Sequence, residues 1–590
     1  MAEDQRTSTF TEIRVHGIGD HEYYTSLGLP REKRLNAWVQ VAEPPPLPEH
    51  QLRIVNWSRS HRRRTGFLWY LAFPFTLVNV AGRMESSAVH RQGSGNGMLR
   101  ALVFAVGVIL TVSQLAWLVV LGETLLRYIP LPPSALNAVP VVAGLLLAGW
   151  LLYRYRKVVR RQSERRGQAF IPALVHGVVV VCVALFLVLV RPAQVPWSGW
   201  PSAPTPAGTS HLDAMALWIA ISISASFLAA LALAAHYHAA GTQERQARVP
   251  LVAAGILLPV AVLLMHALTA LVRMIVDNLL AYVTGLFGLA QRRLHVGILL
   301  PYDNPADASD SRLDLFPFLA LIAAVAALVA AAVVLGIAKG PGLPPLFRGK
   351  AARGRWWHEF TEAAPRLLPF MLPLAVLLAA AGMTTAILLG EGRLGGPWLA
   401  LAILVLQLFG AAVVLVMLLG QLRPVREVLG KIADIAGFWP VRDHPLAGSS
   451  YRDAAVSGIS ELVSRYSDGV VLVAHSQGSV ISAWLLAHGS ERNAARERPH
   501  LVTAGSPLAS LYATFFPAAF SPQLFADVEA RTGSWANFWR RTDPVAFPVP
   551  GAENRLLLDP RDDGVVRSHS DYWTEPAVMQ HIEALSRRPD

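Results

Sequence analysis

Val470-Val471-Leu472-Val473-Ala474-His475-Ser476-Gln477-Gly478-Ser479-Val480 is a short apolar run that ends in a small polar turn, and the chain continues Ile481-Ser482-Ala483-Trp484-Leu485-Leu486. A β-branched run of this length reads as a buried strand, and the apolar stretch beyond the turn reads as a helix. A serine at such a sharp strand-to-helix turn holds its Oγ exposed above a sheet, provided the residues two positions away on either side are small enough for the backbone to bend. Here they are Ala474 and Gly478.

Three further segments extend the pattern. Leu501 to Leu508 reads as a strand ending in a turn. Trp535-Ala536-Asn537-Phe538-Trp539-Arg540-Arg541-Thr542-Asp543-Pro544 reads as a strand with alternating aromatics that delivers Asp543 beyond its carboxyl end. Arg567-Ser568-His569-Ser570-Asp571-Tyr572-Trp573 places a histidine in a polar loop before the final helix. Near the other end of the chain, Glu12-Ile13-Arg14-Val15-His16-Gly17-Ile18-Gly19 reads as a strand running into a glycine-rich turn, which would equally serve as an ordinary β-turn, and Leu52 to Ser58 reads as a neighbouring strand.

Together these segments resemble the lipase/esterase branch of the α/β-hydrolase superfamily, with alanine in place of the first glycine of the usual G-x-S-x-G, a change that many lipases and thioesterases share. The chain order Ser476, Asp543, His569 is the order of that family's nucleophile, acid and base. The resemblance implies an α/β-hydrolase fold, a parallel sheet with flanking helices. Within it Ser476 would be the nucleophile, His569 the base and Asp543 the acid, with the N–H groups of Ile18 and Gln477 as the oxyanion hole. His16, Gly17, Gly19, His475 and Gly478 would support them. Asp559, Asp562, Asp563 and Asp571 compete for the acid's role, but only Asp543 follows a strand-like run directly. The resemblance covers about 65 residues at the start and 150 at the end.

The residues between are of another kind. The chain is 53% hydrophobic and 16% charged, and its apolar residues concentrate in blocks near the ~20 residues that cross a bilayer as a helix. Eight blocks are expected to span: Leu99 to Leu121, Ala135 to Tyr153, Ala169 to Val190, Ala214 to Ala235, Leu251 to Val272, Leu315 to Ile337, Leu367 to Leu389 and Pro397 to Leu419. A ninth run, Gly66 to Gly82, is shorter and holds Pro74, Thr76 and Asn79. Strands from both ends of the chain are to share one sheet, so the number of crossings must be even. Gly66 to Gly82 is therefore read as interfacial or re-entrant, the alternative being that it spans and Ala135 to Tyr153 does not. The expected domains are 1–65 and 421–590 as two parts of one catalytic domain, 66–98 as the interfacial segment and 99–420 as the transmembrane domain. With the N-terminus inside, the inner loops carry 14 Lys/Arg against seven in the outer loops. This bias places both termini and the catalytic domain in the cytoplasm, at an inner membrane. The polar start of the chain shows no secretory signal.

The formal net charge of +12 invites a nucleic-acid reading. The basic residues cluster beside the apolar blocks, however, where they act as orientation signals and contacts for anionic head groups. The expected partners are thus the bilayer and an ester or acyl substrate, a membrane lipid by proximity, with no nucleic acid. The single cysteine, Cys182, rules out an intramolecular disulfide. Neither zinc-type Cys/His spacing nor a phosphate-binding Gly-rich loop occurs, so no metal or cofactor is expected. A membrane transporter or scaffold with a non-catalytic hydrolase-like domain is the alternative. Ionisable groups within the blocks are few, His176 and His266 being the visible ones, and Met274 to Leu289 reads as a separate amphipathic helix on the outer face.

Overall fold

The computed structural model describes residues 10–18, 33–36, 39–44, 50–57, 67–89, 96–126, 210–286, 305–345, 349–390, 451–466, 469–489, 498–559, 567 and 569–586, with isolated positions between 146 and 178 and at 438. Four strands open it: β1 (Phe10–Val15), β2 (Lys33–Arg34), β3 (Gln40–Ala42) and β4 (His50–Asn56). Six long helices follow: α1 (Phe67–Val89), α2 (Asn96–Leu126), α3 (Ser210–His238), α4 (Thr242–Leu286), α5 (Pro305–Lys339) and α6 (Lys350–Gly390). The chain then alternates α7 (Arg452–Val463), β5 (Val470–His475), α8 (Gln477–His488), β6 (His500–Ala504), a π-helical turn (Leu508–Ala513), α9 (Pro522–Ala530), β7 (Trp535–Trp539), β8 (Glu553–Leu556), a 3-10 turn (Asp571–Thr574) and α10 (Pro576–Ser586).

The eight strands among the described residues form one sheet in the order β2-β3-β4-β1-β5-β6-β7-β8. The N-terminal β1 lies in its middle, parallel to β4 on one side and to β5 on the other, with Val15 beside Ala474. The expectation of an α/β-hydrolase fold with a parallel sheet is corrected here: the sheet is mixed, because β2 pairs with β3 and β3 with β4 in antiparallel fashion. The connections explain why. Residues 35–39 and 43–49 are too few for the crossover of a dozen or more residues that a parallel pairing needs, so these short strands can only fold back.

The central strands are buried on both faces, which is why they read as near-continuous apolar runs. Side chains alternate across the sheet. Ile13, Val15, Leu472, Ala474 and Leu501 face a core closed by Ile459 of α7, Ile481 and Leu485 of α8, and Phe525 of α9. Phe10, Val471, Val473, Val502 and Phe538 face the opposite core, closed by Trp573 and by Val578 and Ile582 of α10. On that second face Glu12 is fully buried between Arg14, 2.5 Å away, and His50, 2.9 Å away. Burial alone would raise its pKa, but the bond from His50 and the Arg14 guanidinium outweigh this and hold it below the ordinary carboxylate range.

Among the described residues five helices, α2 to α6, contain stretches long and apolar enough to cross a membrane: Gly97–Leu118, Trp218–His238, Glu244–Arg273, Ala320–Lys339 and Lys350–Gly382. This is compatible with a multi-pass membrane protein. Large apolar side chains such as Leu228 and Leu377 stand outward on these helices, more than 60% exposed, at 67% and 68%, as lipid-facing residues do. Small residues mediate the close approaches between helices. A Cβ on Gly255 of α4 would stand 2.8 Å from Leu372 Cδ2 of α6, and one on Gly382 would stand 2.9 Å from Ala323 Cβ of α5.

Five of the eight expected blocks thus lie in described helices; Ala135 to Tyr153, Ala169 to Val190 and Pro397 to Leu419 lie outside the described residues apart from isolated positions. The ninth run forms the greater part of α1, which packs on α2 and α4 and is not among the five apolar helices. Met274 to Leu289 is not a separate amphipathic helix, since α4 continues unbroken through Arg273 to Leu286. The segment has no proline, and its one glycine before Leu286, Gly285, comes only at the last turn, so a helix already formed propagates through it. His266 is satisfied within the bundle: Trp117 Nε1 donates to its Nδ1 at 3.0 Å, and its Nε2 meets Ser222 Oγ at 2.6 Å.

Candidate active site

Parallel neighbours present their carboxyl ends on one side of a sheet, and ligand sites in such sheets form there. The ends of β1, β5, β6 and β7 gather His16 to Ile18, Ser476, Gly505 and Asp543 on that side. Ser476 joins β5 to α8 with φ 51° and ψ −121°, the one positive φ outside glycine among the described residues. Such a conformation costs on the order of 1–3 kcal/mol and persists only where the surroundings impose it. They do so on three sides. Ser476 N donates to Ala504 O at 2.9 Å, Ser479 N donates to Ser476 O at 2.9 Å, and the backbone from Val15 to Gly17 lies against the turn.

That passage explains both small residues of the turn's surroundings. A Cβ on Gly478 would run into the carbonyl oxygens of Val15 and His16, and a Cβ on Gly17 would stand 2.8 Å from His475 Nδ1. The β1 end is fixed by Trp57, which donates from Nε1 to His16 O at 2.8 Å, stacks on the His16 ring at 5.3 Å and on Tyr451 at 5.2 Å. His16 Nδ1 lies 2.5 Å from Gly17 O. Ile18 packs its half-buried side chain against the core shared by β1, β5, α7, α8 and α9, and Gly19 lies outside the described residues. Gln477 is the first residue of α8, so its N–H has no acceptor inside the helix. Its side-chain oxygen accepts from Tyr512 Oη at 2.8 Å.

Asp543 is 4% exposed, and its Oδ2 lies 2.7 Å from His569 Nδ1 and 3.0 Å from the hydroxyl of Tyr572, which donates to it. Its Oδ1 accepts from Val545 N at 3.1 Å. Burial opposes the charge, but the bond and charge of His569, the Val545 amide and the Tyr572 hydroxyl outweigh it and hold the carboxyl below its ordinary pKa. Burial and the Asp543 charge push the Tyr572 phenol up, keeping it a donor. The carboxylate thus accepts from His569 Nδ1–H, and Nε2 is the ring nitrogen left on the side away from Asp543. Of the competing acids, Asp559 accepts from Thr542, Asp571 opens the 3-10 turn, and Asp562 and Asp563 lie outside the described residues.

The loop bearing His569 is tied to the serine's neighbour. His475 Nε2 donates to His569 O at 2.7 Å, and the two rings lie 4.8 Å apart. Gly505, with φ 59°, makes this possible, because its missing Cβ would stand 3.1 Å from both His475 Nε2 and His569 Cε1. Behind Tyr572, Arg540 stacks at 4.5 Å and pairs with Glu575, which also accepts from Arg567 at 2.6 Å. Ser476, His569, Asp543, Gln477, Ile18, His16, Gly17, His475 and Gly478 are thus drawn to one end of the sheet. Gly505 and Trp57 also belong there. The strand-then-glycine pattern at Leu501 to Gly505 carried a signal for the former, whereas nothing local marks the latter.

No family model matches this chain, and no curated protein or solved structure matches it either. Among the described residues no cluster of three or more His, Cys, Asp or Glu side chains has a metal-binding arrangement.

Proposed function

We propose that this protein is a membrane-embedded serine hydrolase that cleaves an ester or thioester. The observation that carries the reading is the buried Asp543–His569 pair, whose loop is bonded to the residue preceding a strained, positive-φ serine. Ser476 Oγ attacks the substrate carbonyl carbon while its proton passes to His569 Nε2, and the carbonyl π electrons move onto oxygen. The N–H groups of Gln477 and Ile18 receive that oxyanion. Asp543 holds the imidazole in the tautomer required and stabilises its protonated form. Collapse of the intermediate returns the electron pair and breaks the bond to the alcohol or thiol, which leaves with the His569 proton. Water then repeats the sequence on the acyl-serine and releases the acid.

The apolar helices support a substrate drawn from the membrane, an acyl lipid ester. The excess of basic residues in the inner loops supports an inner-membrane location with both termini and the site in the cytoplasm. The partnering of His266 by Trp117 and Ser222 supports a packing use for that residue rather than a transport relay.

Labelling of the purified full-length protein with a fluorophosphonate, which traps activated serines, tests the reading. Labelling that disappears in Ser476→Ala is expected. An unlabelled wild-type protein without esterase activity, or a Ser476→Ala variant of undiminished activity, overturns it.

A further inference from the structure

Helix α6 does more than cross the apolar layer. Its first turns, before the apolar run from Leu367, lie against the segment that bears Asp543. A Cβ on Gly354 would stand 2.8 Å from Thr542 O and 3.2 Å from Thr542 Cβ, so only glycine lets the two backbones meet. One turn later, on the same helix face, His358 is 7% exposed and donates from Nδ1 to Asp543 O at 2.7 Å. Its ring stacks on Phe547 at 4.1 Å and on Trp539 at 5.9 Å, with interplanar angles of 11° and 17°. The imidazole is thereby fixed in position and tilt, and its N–H is aimed at one carbonyl.

Within the sheet domain Asp543 is held by Val545 N, His569 and Tyr572 through its carboxylate, and by its own N–H, which donates to Arg540 O at 3.3 Å. Its carbonyl is held from the membrane helix. Resting on the hydrolase reading above, we infer that His358 is a positioning residue for the catalytic acid, by which α6 sets the placement of the Asp543 carboxylate against His569. It touches neither substrate nor the reacting atoms. Catalysis is sensitive to such placement, since a misplacement of about 1 Å is worth roughly 10²-fold in rate.

Two substitutions separate the bond from the stacking. His358→Phe keeps a flat ring between Phe547 and Trp539 but has no N–H, while His358→Asn loses the ring and keeps a donor at the δ position. The full-length protein in lipid nanodiscs is assayed for kcat and KM on an acyl ester, for the rate of fluorophosphonate labelling, and for thermal midpoint. His358→Phe is expected to lower kcat and the labelling rate together, by about ten- to a hundredfold, with KM and thermal midpoint unchanged, and His358→Asn to recover most of the loss. Wild-type kcat in His358→Phe, a change confined to KM, or equal losses in both variants that follow the thermal midpoint overturn the proposal while leaving the hydrolase reading intact. A wild-type protein that neither labels nor hydrolyses overturns both.

Discussion

Gly17 passes so close to Ser476 that a Cβ on the glycine would stand 2.6 Å from the serine Cβ. The contact joins residues from opposite ends of the chain, and it makes the position of the serine depend on the backbone after β1. Gly17→Ala should therefore displace the serine turn or the β1 end, lowering fluorophosphonate labelling at least tenfold and stability by about 1–3 kcal/mol, the usual range for overpacking. Labelling kinetics and thermal midpoint of the same preparation check it.

The acid is tested by isosteric replacement. In the proposed mechanism Asp543→Asn would remove the charge that stabilises the His569 imidazolium and would disfavour the Nδ1–H tautomer, so turnover should fall by about 10⁴-fold, as for the corresponding change in a serine protease. Asp571→Asn should be mild. A steady-state assay of both variants decides, and the reverse ranking would assign the acid to Asp571.

Backbone strain at Ser476 makes a stability prediction of opposite sign to the activity prediction. Glycine adopts positive φ without the Cβ penalty, so Ser476→Gly should raise the thermal midpoint, by the equivalent of roughly 1 kcal/mol, while abolishing labelling. Ser476→Ala, which keeps the Cβ, should abolish labelling without that gain.

The buried Glu12 predicts a pH dependence of stability. Its pKa is depressed in the folded protein, so its contribution is present above its unfolded value and is lost as pH falls through the lower folded value. Glu12→Gln should cost about 3–5 kcal/mol at neutral pH, the range for breaking a buried ion pair. The gap in thermal midpoint between variant and wild type should narrow as pH is lowered from 7 to 3.

Because β1 and β5 are neighbours in one sheet, residues 10–56 and 470–556 must lie on the same side of any membrane the intervening helices cross. Cytoplasmic reporters fused at either end should both be active, and a periplasmic reporter placed near residue 200 should be active where terminal ones are not. Opposite outcomes at the two termini would contradict the shared sheet.

Legibility followed the range of the interactions. The serine turn, the order of Asp543 and His569, and five apolar helices could be read because each is a local pattern of a few residues or a run of about 20. The mixed character of the sheet could not be read, since β2 and β3 are two and three residues long and too short for any periodicity. Met274 to Leu289 looked separate because Asp277 and Asn278 interrupt the apolar pattern, yet the helix propagates through them as one turn follows another. His358 carried no local signal at all. Its meaning comes from Asp543, Phe547 and Trp539, which are nearly 200 residues away and meet it only in the folded chain.

The central place of β1 also sets a schedule for biosynthesis. The first strands leave the ribosome roughly 400 residues before β5, and at the 5–20 residues per second of translation they wait roughly 20–80 s for it. During that interval the edges of β1 are unpaired on the β5 side, a state that invites aggregation or capture by chaperones. Ser476 is synthesised only after the apolar helices, and its turn is buttressed only once the waiting strand docks. On the proposed reading, a chain truncated before β5 would lack the nucleophile altogether, so hydrolysis would begin only once both ends of the chain have met in the sheet.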